Sequence, residues 1–213
     1  MSEPLARTRV KICGLAREAD VEAAVAAGAD ALGFVLWAGS RRAVDETQLA
    51  RLAARVPAFV TRVGLFVDAD ADWVARCAAH LDLLQFHGNE SPAACAIAGR
   101  PWIKALRMRD GLDVHAAAAT YANARALLLD AYRPGVPGGT GETFDWSRIP
   151  ANPTKPVILA GGLTPDNVAE AIAVAHPFAV DVSGGVEIEP GRKDPRRIAA
   201  FLSAVQNADR DAR

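Results

Sequence analysis

The sequence predicts a single (β/α)8 barrel, and three observations predict it. Short apolar segments, often β-branched, alternate with Ala-rich amphipathic ones, giving eight β-then-α units with a period of about 25 residues. The 213 residues sit near the lower end of the roughly 200 to 400 expected of such a barrel. No linker or composition break divides the chain, so residues 1–213 read as one domain, with an ordered core over about 9–206 and short polar ends. An open doubly wound sheet is the other possible closure. Eight unbroken units favour the barrel, and no GxGxxG fingerprint follows the first strand, which runs into Cys13-Gly14-Leu15.

The expected strands are Arg9–Cys13, Ala31–Val35, Thr61–Val67, Leu83–Phe86, Trp102–Leu106, Ala126–Asp130, Pro156–Ala160 and Phe178–Val182. They read as nearly continuous apolar runs, as parallel strands covered on both faces should. The expected helices are Arg17–Ala27, Glu46–Arg55, Asp72–His80, Pro92–Ala98, Asp113–Tyr121, Pro165–Ala175 and Pro195–Val205, with a weak sixth helix near Asp145–Ile149. Asp45, Ser91, Thr164 and Asp194 are placed to cap helix starts. Prolines follow the last three, where a missing N–H costs nothing.

Composition narrows the function. Apolar residues make up 51 % of the chain, ample for a large core, and no stretch reads as disordered. The 24 basic and 25 acidic residues form no basic stripe, which argues against a nucleic-acid partner. Cys13, Cys77 and Cys95 are odd in number and widely spaced, the pattern of reduced intracellular thiols. No apolar signal core or membrane-length run occurs, so the expectation is a cytoplasmic protein without membrane contact.

In this fold the active site lies at the carboxyl ends of the strands. Cys13 ends strand one and Asp130 ends strand six, while Cys77 and Cys95 fall on helices and read as packing. Asp130 follows four apolar residues, so desolvation should favour its use as a general acid. Side chains alternate along a strand, so an inward Cys13 carries Lys11 inward one layer deeper. A buried ammonium needs a partner, and Asp181 is the natural one. The pair is either a structural salt bridge or a device by which Lys11 helps to hold Cys13 as a thiolate. Gln85 and His87 end strand four. His87 reads as an orienting hydrogen-bonder, and no second His lies at ligand spacing, so no metal is expected. Gly161 and Gly162 after strand seven, with Ser183, Gly184 and Gly185 after strand eight, let backbone N–H groups approach an anion. These two loops are the recurrent phosphate site of the fold. The glycine-rich segment Ala131–Thr143 reads as a lid beside Asp130.

Several blocks resemble phosphoribosylanthranilate isomerase. They are Val10-Lys11-Ile12-Cys13-Gly14-Leu15, Gly28 to Val35, Ser40-Arg41-Arg42, Val63 to Val67, Leu84-Gln85-Phe86-His87-Gly88 and Leu128-Leu129-Asp130. Gly138-Gly139-Thr140-Gly141 with Phe144-Asp145-Trp146, Ala160 to Leu163, Val180 to Glu187 and Pro190 to Asp194 follow in order over nearly the whole chain. The resemblance implies an Amadori rearrangement of N-(5-phosphoribosyl)anthranilate, a small phosphorylated substrate of tryptophan biosynthesis, without metal or cofactor. It implies Cys13 as general base, Asp130 as general acid, and Arg42, rather than Arg41, as the group that meets the anthranilate carboxylate. Lys11, Gln85, His87 and Asp181 are expected to contact substrate around them. Some family members read Ser-Ser-Gly where this chain has Ser183-Gly184-Gly185. A histidine-pathway isomerase on the same fold is the near rival, but it uses Asp where Cys13 stands. A non-catalytic phosphometabolite-binding barrel would need neither Cys13 nor Asp130. Whether the chain is a monomer or a homodimer stays open.

Overall fold

A computed structural model describes residues 7–131 and 143–211. Of the expected lid, Ala131–Thr143, residues 132–142 lie outside the described residues. Eight parallel strands close into a barrel in chain order: β1 (Arg9–Cys13), β2 (Ala31–Val35), β3 (Thr61–Phe66), β4 (Leu83–Phe86), β5 (Trp102–Arg107), β6 (Leu127–Asp130), β7 (Val157–Leu159) and β8 (Ala179–Val182). β8 returns to β1 with Lys11 opposite Asp181. The helices outside are α1 (Glu18–Ala27), α2 (Glu46–Ala53), α3 (Ala71–Ala78), α4 (Pro92–Ala96), α5 (Val114–Thr120), α6 (Val168–Ala175) and α7 (Pro195–Asp211).

Local chemistry sets the helix starts. Asp45, Asp70, Ser91 and Asp113 each accept a backbone N–H of the first turn that would otherwise lack a partner. Asp70 moves the start of α3 ahead of the expected Asp72. The expected cap at Thr164 is displaced to Asn167. The Asn167 side chain accepts from Thr164 N at 2.8 Å and donates to Gly162 O at 3.0 Å, holding a turn that delays α6 to Val168. The weak sixth helix is a single 3₁₀ turn, Trp146–Arg148, capped by Asp145. At the other end α7 continues past the expected core boundary. Its Asp209 accepts from Thr8 N and Oγ1 at 2.8 and 2.7 Å, tying the last helix to the first strand. A short hairpin not expected from the sequence, β9 (Glu187–Glu189) with β10 (Arg192–Lys193), follows β8.

Two apolar layers follow from strand alternation. Ile12, Leu32, Phe34, Phe66, Leu84, Leu127, Leu129 and Val180 face the helices in the larger core. Ile103, Ala105, Ala126, Leu128, Ile158, Ala160 and Ala179 form a separate inner cluster. That inner layer is rich in alanine. Along β5 and β6 it ends in polar groups, as Ala105 gives way to Arg107 and Leu128 to Asp130.

Candidate active site

A cavity open to solvent occupies the barrel mouth. Cys13, Arg42, Gln85, His87, Asp130, Gly161, Gly162, Asp181, Ser183, Gly184 and Gly185 all line it. Among the residues expected to act on or bind substrate, Lys11 alone does not. It lies a layer below, 4 % exposed, with Nζ 2.9 Å from Asp181 Oδ1.

β2 makes room for this arrangement. Gly33 stands opposite Cys13. A Cβ there would fall 2.8 Å from Cys13 Sγ and 3.0 Å from Lys11 Nζ, so only glycine admits both groups. Burial works against the Lys11 ammonium, but Asp181 and Cys13 outweigh it and raise its pKa. Burial pushes the Cys13 thiol up, Lys11 pulls it down, and Asp181 pushes it up again; the net displacement is upward. The sequence suggests that Lys11 helps to hold Cys13 as a thiolate. Its charge acts in that direction, but desolvation of the buried sulfur is larger.

Across the mouth, Asp130 is 6 % exposed at the end of β6. His87 Nε2 lies 3.2 Å from Asp130 Oδ2, near enough for a charge contact but not aligned as a hydrogen bond. The strand holds Asp130 through its backbone, which accepts from Met108 N at 2.9 Å. Gly161, at φ +85°, lets the next loop pass close by, since a Cβ there would lie 2.9 Å from Asp130 Oδ1 and 2.3 Å from Ala131 N. Gln85 is fully buried, and neither end of its amide has a hydrogen-bond partner among the described residues. The two glycine loops touch each other: a Cβ at Gly185 would fall 1.9 Å from Leu163 O. They form a single cradle after β7 and β8.

Arg42 also enters the mouth, whereas Arg41 is exposed outside it. Its Nε and Nη2 already donate to Glu187 at 2.8 and 2.7 Å. Sequence reading missed Glu187, and it missed Arg107, Trp37 and Ser40, which also line the cavity. Arg107 was legible. Ile103, Ala105 and Arg107 share a face at spacing two, and ending strand five at Leu106 hid the last of them. Glu187 left no such signal, because it lies on the unexpected hairpin. Cys77 and Cys95 are buried away from the mouth.

Among the described residues no helix is long and apolar enough to cross a membrane, and no group of three or more His, Cys, Asp or Glu is arranged to hold a metal.

Comparison with known proteins agrees with this geometry. A family model described as N-(5'phosphoribosyl)anthranilate (PRA) isomerase matches residues 10–204. An N-(5'-phosphoribosyl)anthranilate isomerase of Chromohalobacter salexigens is 73 % identical over 207 residues, 97 % of this chain and 98 % of that protein. One from Pseudomonas putida is 56 % identical over 96 % of this chain and its own full length. The crystal structure of the Thermotoga maritima phosphoribosyl anthranilate isomerase superposes with a TM-score of 0.86 at 37 % identity, covering 94 % of this chain and 99 % of that one. A phosphoribosyl anthranilate isomerase in complex with reduced 1-(o-carboxyphenylamino)-1-deoxyribulose 5-phosphate superposes with a TM-score of 0.79 at 34 % identity, with the same coverage. The chain belongs to the N-(5'-phosphoribosyl)anthranilate isomerase family, and it converts N-(5-phosphoribosyl)anthranilate to 1-(2-carboxyphenylamino)-1-deoxyribulose 5-phosphate in tryptophan biosynthesis.

Proposed function

We propose that Asp130 is the general acid and Cys13 the general base of this rearrangement. The supporting observation is that both line one cavity, on β6 and β1, three strands apart round the closed barrel, with the glycine cradle of β7 and β8 between them. Asp130 donates its proton to the ribose ring oxygen. The ring C1′–O bond breaks as the anilino nitrogen lone pair forms the Schiff base. The Cys13 thiolate then removes the C2′ proton, and its electron pair forms the C1′=C2′ bond as the iminium is neutralised to an enolamine. Protonation at C1′ and loss of the hydroxyl proton at C2′ leave the ketone. The sum is an isomerisation with no net redox change, so one acid and one base suffice.

The remaining assignments follow the substrate outward from its reacting carbons. Backbone N–H groups around Gly161, Gly162 and Ser183–Gly185 take the phosphate. Arg42 takes the anthranilate carboxylate. Gln85 supplies an amide that has no partner among the described residues, and His87 orients Asp130. Asp181 lines the floor and, with Lys11 beneath it, supports Cys13 more than it contacts substrate. On this reading the enzyme is cytoplasmic and acts as a monomer or homodimer on a small phosphorylated substrate, without a nucleic-acid or membrane partner. The balanced charge is consistent with that. The solved Thermotoga maritima protein is described as dimeric, and light scattering on this chain distinguishes the two states.

Cys13→Ser exchanges the thiol for a hydroxyl of far higher pKa, and Asp130→Asn removes the acidic proton. Each should lower kcat by about 100- to 10,000-fold while the protein stays folded and still binds product. Near-normal turnover by Cys13→Ser would overturn the assignment.

A further inference from the structure

The carboxylate behind Arg42 joins two parts of the site that the sequence treats separately. The Arg42 side chain crosses above Gly14, where a Cβ would lie 2.5 Å from Arg42 Cδ and 3.0 Å from Ser183 Oγ. Gly14 adopts φ +76° there, and its bare Cα admits both neighbours. Glu187, 6 % exposed, receives the Nε–Nη2 edge of the guanidinium on its two oxygens. Gly191 N donates to the same carboxylate at 3.2 Å. Lys193, 1 % exposed, donates to Glu187 Oε1 at 2.9 Å and to Ser183 O at 3.1 Å. One buried carboxylate is thus shared between the arginine on the β2 side and a lysine that grips the loop after β8.

A guanidinium has two edges that each offer parallel N–H groups to a carboxylate. Glu187 occupies the Nε–Nη2 edge. Nη1 has no hydrogen-bond partner among the described residues, so the Nη1–Nη2 edge can still receive a second carboxylate. The cluster carries two cations and one anion, which leaves a positive charge for such a ligand. A long flexible side chain loses rotamer freedom when it binds, and holding it beforehand removes that cost.

We infer that Glu187 is a positioning residue: it holds Arg42 with its remaining edge toward the substrate's aromatic carboxylate, while Lys193 ties this clamp to the phosphate loop through Ser183. The two charged ends of the substrate are then set against one buried frame. This rests on the reading of Arg42 given above.

Steady-state kinetics on N-(5-phosphoribosyl)anthranilate test it with R42M, E187Q and the double variant. R42M should raise KM strongly. E187Q should raise KM about tenfold, the loss of one good charge-assisted contact, with kcat changed by less than about threefold. In the R42M background E187Q should add nothing to KM, because its effect passes through the missing guanidinium. A KM unmoved by R42M sinks the reading of Arg42 itself. A KM raised by R42M but unmoved by E187Q, or an E187Q effect that adds in full to that of R42M, overturns the positioning role. A merely structural carboxylate would lower thermal stability and leave KM alone. If E187Q does not accumulate folded, E187D keeps the charge facing Lys193 but stops short of spanning the arginine edge. A KM raised severalfold in E187D supports the inference, and an unchanged one overturns it.

Discussion

The two sides of the barrel mouth are built on different principles. On the β1–β8 side, Cys13 stands over a complete ion pair, Lys11 with Asp181, packed against a glycine that leaves no spare room. Nearby, Glu187 is held by both Arg42 and Lys193. On the β4–β6 side, the Gln85 amide and Arg107 Nε are buried without hydrogen-bond partners among the described residues, and His87 meets Asp130 out of alignment. Around Cys13 the first side is finished, with the outer edge of Arg42 left open. The second has polar groups unmatched among the described residues. The proposed roles place the base Cys13 on the first side and the acid Asp130 on the second.

The largest effect should come from breaking the finished side. Lys11→Met leaves Asp181 buried and alone, and removing one partner of a buried pair costs about 3–5 kcal/mol. Urea unfolding measures it, and Lys11→Met combined with Asp181→Asn should recover part of the loss. The same variant sharpens the electrostatics. Burial already holds the Cys13 thiol above its usual range, and Lys11 opposes that. Removing Lys11 should therefore move the thiolate midpoint further up, read by ultraviolet titration as a difference from Cys13→Ser. A downward move would mean that Lys11 does not act on the sulfur.

The unfinished side should answer in the opposite sense. A buried amide without partners costs about 1–3 kcal/mol. Gln85→Leu should accordingly stabilise the free enzyme by an amount within that range while weakening substrate use. A variant that loses both stability and activity would show that Gln85 is already satisfied and that the contrast between the two sides is false.

The smallest effect is in acid. Glu187 and Glu90 are each pushed up by burial, but hydrogen bonds and neighbouring cations outweigh it: for Glu187 the Arg42 bond and then Lys193, for Glu90 the Asp68 N–H and then Lys104. Both titrate below the ordinary glutamate range, so their contribution to stability is present above about pH 4.3 and is lost as pH falls through the lower folded values. Stability should drop across that window. Glu187→Gln should make the drop shallower, and an unchanged slope would show that the carboxylate of Glu187 gains nothing from folding.

Local pattern alone determined the barrel: alternating apolar strands, capped helices and an unbroken repeat. It also determined most of the mouth, because a strand's last inward side chain points there whatever its partners are. Cys13, Asp130, Gln85 and the glycine loops were readable in that way, and so was the pairing of Lys11 with Asp181, since an inward ammonium requires an anion. Only the tertiary structure decided what distance and burial control. Gly33 leaves the room that Cys13 and Lys11 share beneath the mouth. The Cys13 thiol is displaced upward because the desolvation of a closed barrel exceeds the pull of one cation. Arg42 is met by Glu187 from a hairpin that no periodicity announced, through residues 145 positions apart in the chain. Strand and helix periodicity reports which face a residue occupies. It does not report which distant charge will be folded against that face, and here that charge determines which edge of Arg42 remains for a ligand.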